Sequence, residues 1–106
     1  MRRGISPAST AQRAKVRDQR CARCGRRPCD PAHLWPRGRG GCDHPDCVIG
    51  LCRLCHRAFD ERRLDLLPII AMNEYAAERS HMAAHADLLS CVEQLTGRRF
   101  QEVARR

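Results

Sequence analysis

A chain of 106 residues is the size of one domain, and a domain this small buries too little apolar surface to do without a further tie. Twenty basic residues against twelve acidic ones leave a formal charge of +8, which points to a polyanionic partner, most simply nucleic acid. No apolar run approaches the roughly 18–20 residues that span a bilayer, and the basic, polar opening MRRGISPASTAQRAKVRDQR lacks the apolar stretch of a secretory leader, so neither a membrane partner nor export is expected. The expected compartment is therefore the cytosol, where the eight cysteines stay reduced and suit metal better than disulfides. Nineteen of the twenty basic residues are arginine and only Lys15 is lysine, a bias that genome composition alone can produce.

Residues 1–8 read as a basic disordered arm with Gly and Pro and nothing to pack. Ser9 or Thr10 can cap a short helix over Ala11–Arg20, whose exposed side is expected to carry Arg13, Lys15, Arg17 and Arg20, as a solvated face or as phosphate contacts. Cys21-Ala22-Arg23-Cys24-Gly25 follows as a knuckle, two thiolates on a tight turn. A strand is expected around Ala32–Trp35, a loop over Pro36–Asp46 with Arg37 and Arg39 set among glycines, and a second, antiparallel strand over Val48–Leu51. Cys52-x-x-Cys55 closes the knuckle, a helix is expected to start near Cys55 and run to about Arg62, and residues 9–64 form the expected core.

From Asp65 the chain turns helical. Asp65 can cap a helix that tolerates Pro68 in its first turn. A helical stripe of Tyr75, Met82, Ala86, Leu89 and Val92 runs towards a stop at Gly97, with a break allowed near Ser80–Ala84. This extension, residues 65–106, is expected to pack on the core or to meet a second copy or a protein partner. His81 and His85 have the four-residue spacing of a metal pair, but no third ligand is evident in the sequence, so they read as ordinary surface or interface histidines.

Two constellations carry chemistry. Cys21, Cys24, Cys52 and Cys55 make a CxxC…CxxC set with 27 residues between the pairs, the pattern of a closed structural zinc site. One ion there would tie the start of the hairpin to the start of the following helix, and its binding would add on the order of 10 kcal/mol to folding. His56 and Asp60 are spaced i, i+4, so on a helix both project from one face as a mixed imidazole–carboxylate pair suited to Mg²⁺, Mn²⁺ or Zn²⁺.

CxxCG, then AHLWPRGRGG, then LCRLCHRAFD resembles the HNH nucleases, and the longer stretch CDPAHL to DLLP is similar to small HNH proteins of actinobacteria and their phages. The resemblance covers roughly Cys21 to Asp60. It implies a ββα-metal finger stapled by the Cys₄ knuckle, which with the N-terminal helix and the C-terminal helical extension read from the residues makes the expected fold small α+β. It also implies DNA as partner and phosphodiester hydrolysis as activity. His33 matches the histidine that deprotonates the attacking water, and His56 and Asp60 match the ligands of the catalytic divalent ion. Arg37 is a candidate to clamp a phosphate oxygen, and Arg37, Arg39, Arg13 and Arg17 are the candidate DNA contacts. Two positions depart from the family's pattern. Ala32 stands where a metal-binding Asp or His precedes the base, with Asp30 a candidate substitute, and Cys47 stands where an Asn braces the loop.

Cys29, Cys42 and Cys47, with His44 or His33 as fourth donor, make a candidate second zinc site; the alternative is that Cys42 and Cys47 simply cross-tie the loop. A zinc-bound His33 could not serve as base. Cys91 reads as buried packing. The alternatives to a nuclease are a zinc-knuckle DNA-binding module without catalysis and a phage accessory protein.

Overall fold

The computed structural model describes residues 8–36 and 42–99, so most of the N-terminal arm, together with Arg37 and Arg39, lies outside the described residues. In chain order the elements are α1 (Thr10–Val16), β1 (Asp30–His33), β2 (Val48–Leu51), α2 (Arg53–Asp60), α3 (Leu67–Ile70), α4 (Ala76–His85) and α5 (Leu88–Thr96), with 3-10 turns at Pro45–Cys47 and Asn73–Tyr75. The class is α+β, and none of the described helices is long and apolar enough to cross a membrane.

Ser9 starts α1 with a reciprocal cap. Its hydroxyl accepts from the Gln12 N–H at 3.1 Å while the Gln12 amide oxygen accepts from the Ser9 N–H at 3.0 Å. The helix stops at Val16, four residues short of the expected end, where the Arg17 N–H turns to the Ala14 carbonyl and residues 17–20 run exposed. Gln12 is fully buried and its amide donates to the carbonyls of Cys42 and His44 at 2.8 and 3.0 Å, so α1 grips the loop ahead of β2. Lys15, expected on the exposed face, points inward instead. Its ammonium donates to the carbonyls of Pro45 and Val48 and to Glu78 on α4, the last at 2.6 Å. A lone lysine with all three protons used is a brace between elements rather than a phosphate contact.

β1 and β2 form an antiparallel pair with Asp30 opposite Leu51 and His33 opposite Val48. β1 therefore starts two residues earlier than the periodicity suggests, while β2 has the expected bounds. Every residue of β2 is buried, with Gly50 against Gln19 and Cys29, and Ile49 and Leu51 in one apolar cluster with Phe59 of α2. Gly50 permits that cover, because a Cβ there would sit 2.9 Å from the Gln19 side-chain oxygen and 3.2 Å from the Cys29 Cβ.

The C-terminal half is not the long helix its stripe suggests. α3 ends at Ile70, and a second break falls at Ala86, whose extended backbone lets Asp87 accept from the Ser90 N–H and cap α5. The break redirects the stripe. Met82 is buried as expected, but Leu89 is exposed and α5 buries Cys91, Gln94 and Leu95 instead. Gly97 ends α5 in the left-handed conformation, as expected. Leu66, Ile70, Met82, Cys91 and Leu95 share one core with Leu34, Trp35, Ile49, Leu51 and Phe59, so the helical extension packs on the hairpin unit.

Candidate metal centres

The first knuckle turn is set by backbone bonds before any ion is considered. The Gly25 N–H reaches the Cys21 carbonyl at 2.9 Å, and the Cys21 N–H reaches the Arg26 carbonyl at 2.8 Å. The second pair sits at the start of α2, where Cys52 is the residue ahead of the first turn and Cys55 lies inside it. The donor atoms of Cys21, Cys24, Cys52 and Cys55 all lie within 4.8 Å of one another. The Cys24 and Cys52 sulfurs are 3.6 Å apart, against the roughly 3.8 Å expected of two thiolates on a tetrahedral zinc with bonds of about 2.3 Å. The surroundings favour a thiolate at Cys21. Burial acts to raise its pKa, but the backbone N–H groups of Cys52, Cys24 and Arg23 outweigh it and bring the thiol down to about 6. Cys55, by contrast, is pushed up to about 12 by burial and by its neighbours Cys52 and Cys21, because a thiolate already formed beside it resists a second negative charge.

A second group of donors lies at the other end of the hairpin, and it is not the one expected. Cys42 and Cys47 come together with His81 and His85, again with all donor atoms within 4.8 Å. Cys42 Sγ is 3.0 Å from His81 Nε2, Cys47 Sγ is 3.9 Å from His85 Nε2, and the two Nε2 atoms are 3.3 Å apart. Both groups could hold a metal ion such as zinc. Cys29 is excluded by register. It precedes Asp30, which pairs with Leu51, whereas Cys47 lies beyond the opposite end, next to Val48. At about 3.3 Å per residue the two cysteines are separated by roughly 15 Å of strand. Cys29 instead donates its thiol to the Gln19 carbonyl at 3.3 Å, and burial raises its pKa. His44 stacks on the His81 ring at 4.7 Å and uses Nδ1 to accept from the Asp46 N–H, so it backs a donor without being one. His33 belongs to neither group.

The sequence contains part of this signal. Cys42-x₄-Cys47 and His81-x₃-His85 have the separations of a Cys₂His₂ site, but the 33 residues between the pairs hide it.

His56 lies between two carboxylates. Its Nδ1 is 3.3 Å from Asp30 Oδ2 and its Nε2 is 3.4 Å from Asp60 Oδ2. Asp30 also accepts from Arg53 Nε at 2.9 Å. Burial works against the Asp30 charge, but Arg53 and His56 prevail and hold its pKa below the ordinary value. Arg53, His56, Arg57 and Asp60 lie at i, i+3, i+4 and i+7 on α2, one stripe opposite the buried Cys55 and Phe59. Asp30, His56 and Asp60 do not form a third group of mutually close donors, since the two carboxylates sit on opposite sides of the ring. Ala32 is fully buried in the core, and on β1 it alternates with His33, which faces away from it. The Cys47 carbonyl accepts from the Leu34 N–H at 2.8 Å, and the backbone N–H groups of Cys42 and Trp35 are directed at its sulfur. Burial nonetheless leaves the Cys47 thiol with a raised pKa. Arg13 and Arg17 are exposed on α1, and Arg13 also donates to the Ala8 carbonyl.

Compared with protein-family models, with curated proteins and with solved structures, the chain matches none.

Proposed function

We propose that this chain is a metal-dependent endonuclease of the HNH type that hydrolyses DNA phosphodiester bonds, built on a ββα-metal finger with zinc in the Cys₄ knuckle. The observation that carries the reading is the placement of His56. Its Nε2 stands 3.4 Å from the Asp60 carboxylate, about the separation of two ligands on one ion with bonds near 2.1 Å, while Asp30 takes the other ring nitrogen. A carboxylate on the remote nitrogen of a metal-binding imidazole fixes its tautomer and orientation. Asp30 thus acts as a positioning residue for His56 rather than as the missing ligand.

His56 and Asp60 would hold Mg²⁺, Mn²⁺ or Zn²⁺, which when bound offsets charge on the scissile phosphate and on the departing sugar oxygen. Arg53 and Arg57, on the same stripe of α2, draw the phosphate backbone to that face. His33 takes a proton from water as the water oxygen bonds to phosphorus and the bond from phosphorus to the sugar oxygen breaks. Its membership of neither donor cluster is consistent with that role. Arg37 and Arg39, which lie outside the described residues, remain candidate phosphate contacts.

Nicking of supercoiled plasmid in Mg²⁺ or Mn²⁺ tests this. Wild type should cut, His33→Ala should lose roughly 10²-fold or more, on the order of a removed general base, and His56→Ala, which removes a metal ligand, should lose cutting as well. A wild type that binds DNA but never cuts it would refute the reading. That result would favour a DNA-binding zinc module, which the buried Ala32 at a ligand position also suits. A chain that does not bind DNA would instead suit an accessory protein docking through α5, where Leu88 is 79% exposed.

A further inference from the structure

We infer that Cys42, Cys47, His81 and His85 bind a second zinc ion, which staples α4 to the loop ahead of β2 and clamps the end of the hairpin that carries His33. The inference does not rest on the nuclease reading.

Geometry supports it first. Two imidazole nitrogens on a tetrahedral zinc stand about 3.4 Å apart and a sulfur and a nitrogen about 3.6 Å, from bonds of roughly 2.05 and 2.3 Å. The observed values are 3.3 Å between the nitrogens and 3.0 and 3.9 Å for the two sulfur–nitrogen pairs. The four donors come from two segments, Cys42 to Cys47 in the loop and His81 to His85 on one face of α4, and nothing in local sequence would bring these together. Cys47 is fully buried and the other three are half-buried, so the cluster is a closed structural kind of site.

The second support is what α4 lacks. Its ten residues bury only Met82 and Glu78, and Glu78 is engaged by Lys15. Such a helix has little apolar surface with which to hold itself against the 3-10 turn at Pro45–Cys47, yet it lies there with both imidazoles turned inward. A metal bond supplies the missing attachment.

Position gives the ion its consequence. The Cys₄ group ties the hairpin where Asp30 faces Leu51, beside His56. The Cys₂His₂ group ties it where His33 faces Val48, one residue from Cys47. The two ends of a four-residue pair of strands are thus fixed independently.

Metal analysis of the full chain purified in Zn²⁺ should give two zinc ions per chain. X-ray absorption should show an average shell of three sulfurs to one nitrogen, since six sulfurs and two nitrogens are shared between two ions. In His81→Ala/His85→Ala the content should drop to one ion with a purely sulfur shell. Hydrogen exchange should then quicken across α4 and α5 while the Cys21–Cys24 turn and α2 stay protected. One ion in the wild type with four sulfurs around it, or two ions retained in the double variant, would overturn the inference. Should the variant not fold, the wild-type count and shell still decide. None of these readouts uses cleavage, so an inactive protein with two zinc ions would count against the nuclease reading alone.

Discussion

Replacing Lys15 by methionine removes one charge from a place where three elements meet. Its ammonium holds the Pro45 carbonyl at 2.8 Å, the Val48 carbonyl at 2.7 Å and Glu78 at 2.6 Å. The side chains of Lys15 and Glu78 are 18% and 8% exposed, and the second Glu78 oxygen has no partner among the described residues. Truncating one member of a buried pair costs about 3–5 kcal/mol because the other is left charged and dry; the residual exposure of Lys15 puts this case near the lower figure, about 3 kcal/mol. For a domain of this size that corresponds to a fall of roughly 15 °C in Tm. Lys15→Met with Glu78→Leu leaves no stranded charge, and most of the loss should be recovered. Urea unfolding of the zinc-loaded protein measures both. A single variant costing under about 1 kcal/mol, or a double variant no more stable than the single, would refute the account of Lys15 as a brace.

Asp30→Asn should lower plasmid nicking by about 10- to 100-fold with the fold intact, and rescue by raised Mn²⁺ would mark the loss as one of metal affinity; an unchanged rate would remove Asp30 from the orientation of His56. Asp87 caps α5 through the Ser90 N–H, which holds its pKa below the ordinary value. Because the folded pKa is the lower one, this contribution is fully present above the unfolded pKa and is lost as pH falls through the folded pKa. The Tm gap between wild type and Asp87→Ala should therefore be open at neutral pH and close in acid. A gap that widens in acid would contradict the cap. DNA cleavage should fall steeply as salt rises from about 50 to 200 mM, roughly ten-fold or more if several arginines meet phosphates, and a salt-insensitive rate would argue against an electrostatic footprint.

The parts of the molecule that local chemistry controls were legible in the residues. Ser9 as a helix cap, the CxxC turns, β2 with its apolar run and Gly97 as a helix stop each depend on neighbours within a few positions, so spacing alone reveals them. The His56–Asp60 pair was legible for the same reason, being one helical turn apart. What tertiary structure decided was everything that hangs on register and on where helices break. The pairing of Asp30 with Leu51 carries Cys29 away from Cys47 and brings Asp30 against His56. The extended Ala86 ends one helix and lets α5 turn Leu95 rather than Leu89 into the core. His81 and His85 looked like surface residues because their candidate partners, Cys42 and Cys47, are more than thirty positions away and reach them only after the hairpin, α1 and α4 have packed together. Charge followed the same rule: composition counts Lys15 with the arginines, but only the fold turns it inward towards a carboxylate sixty-three residues on. Sequence displays its contacts plainly when chain separation is short, whereas long-range pairings are chosen by the packing of the whole core.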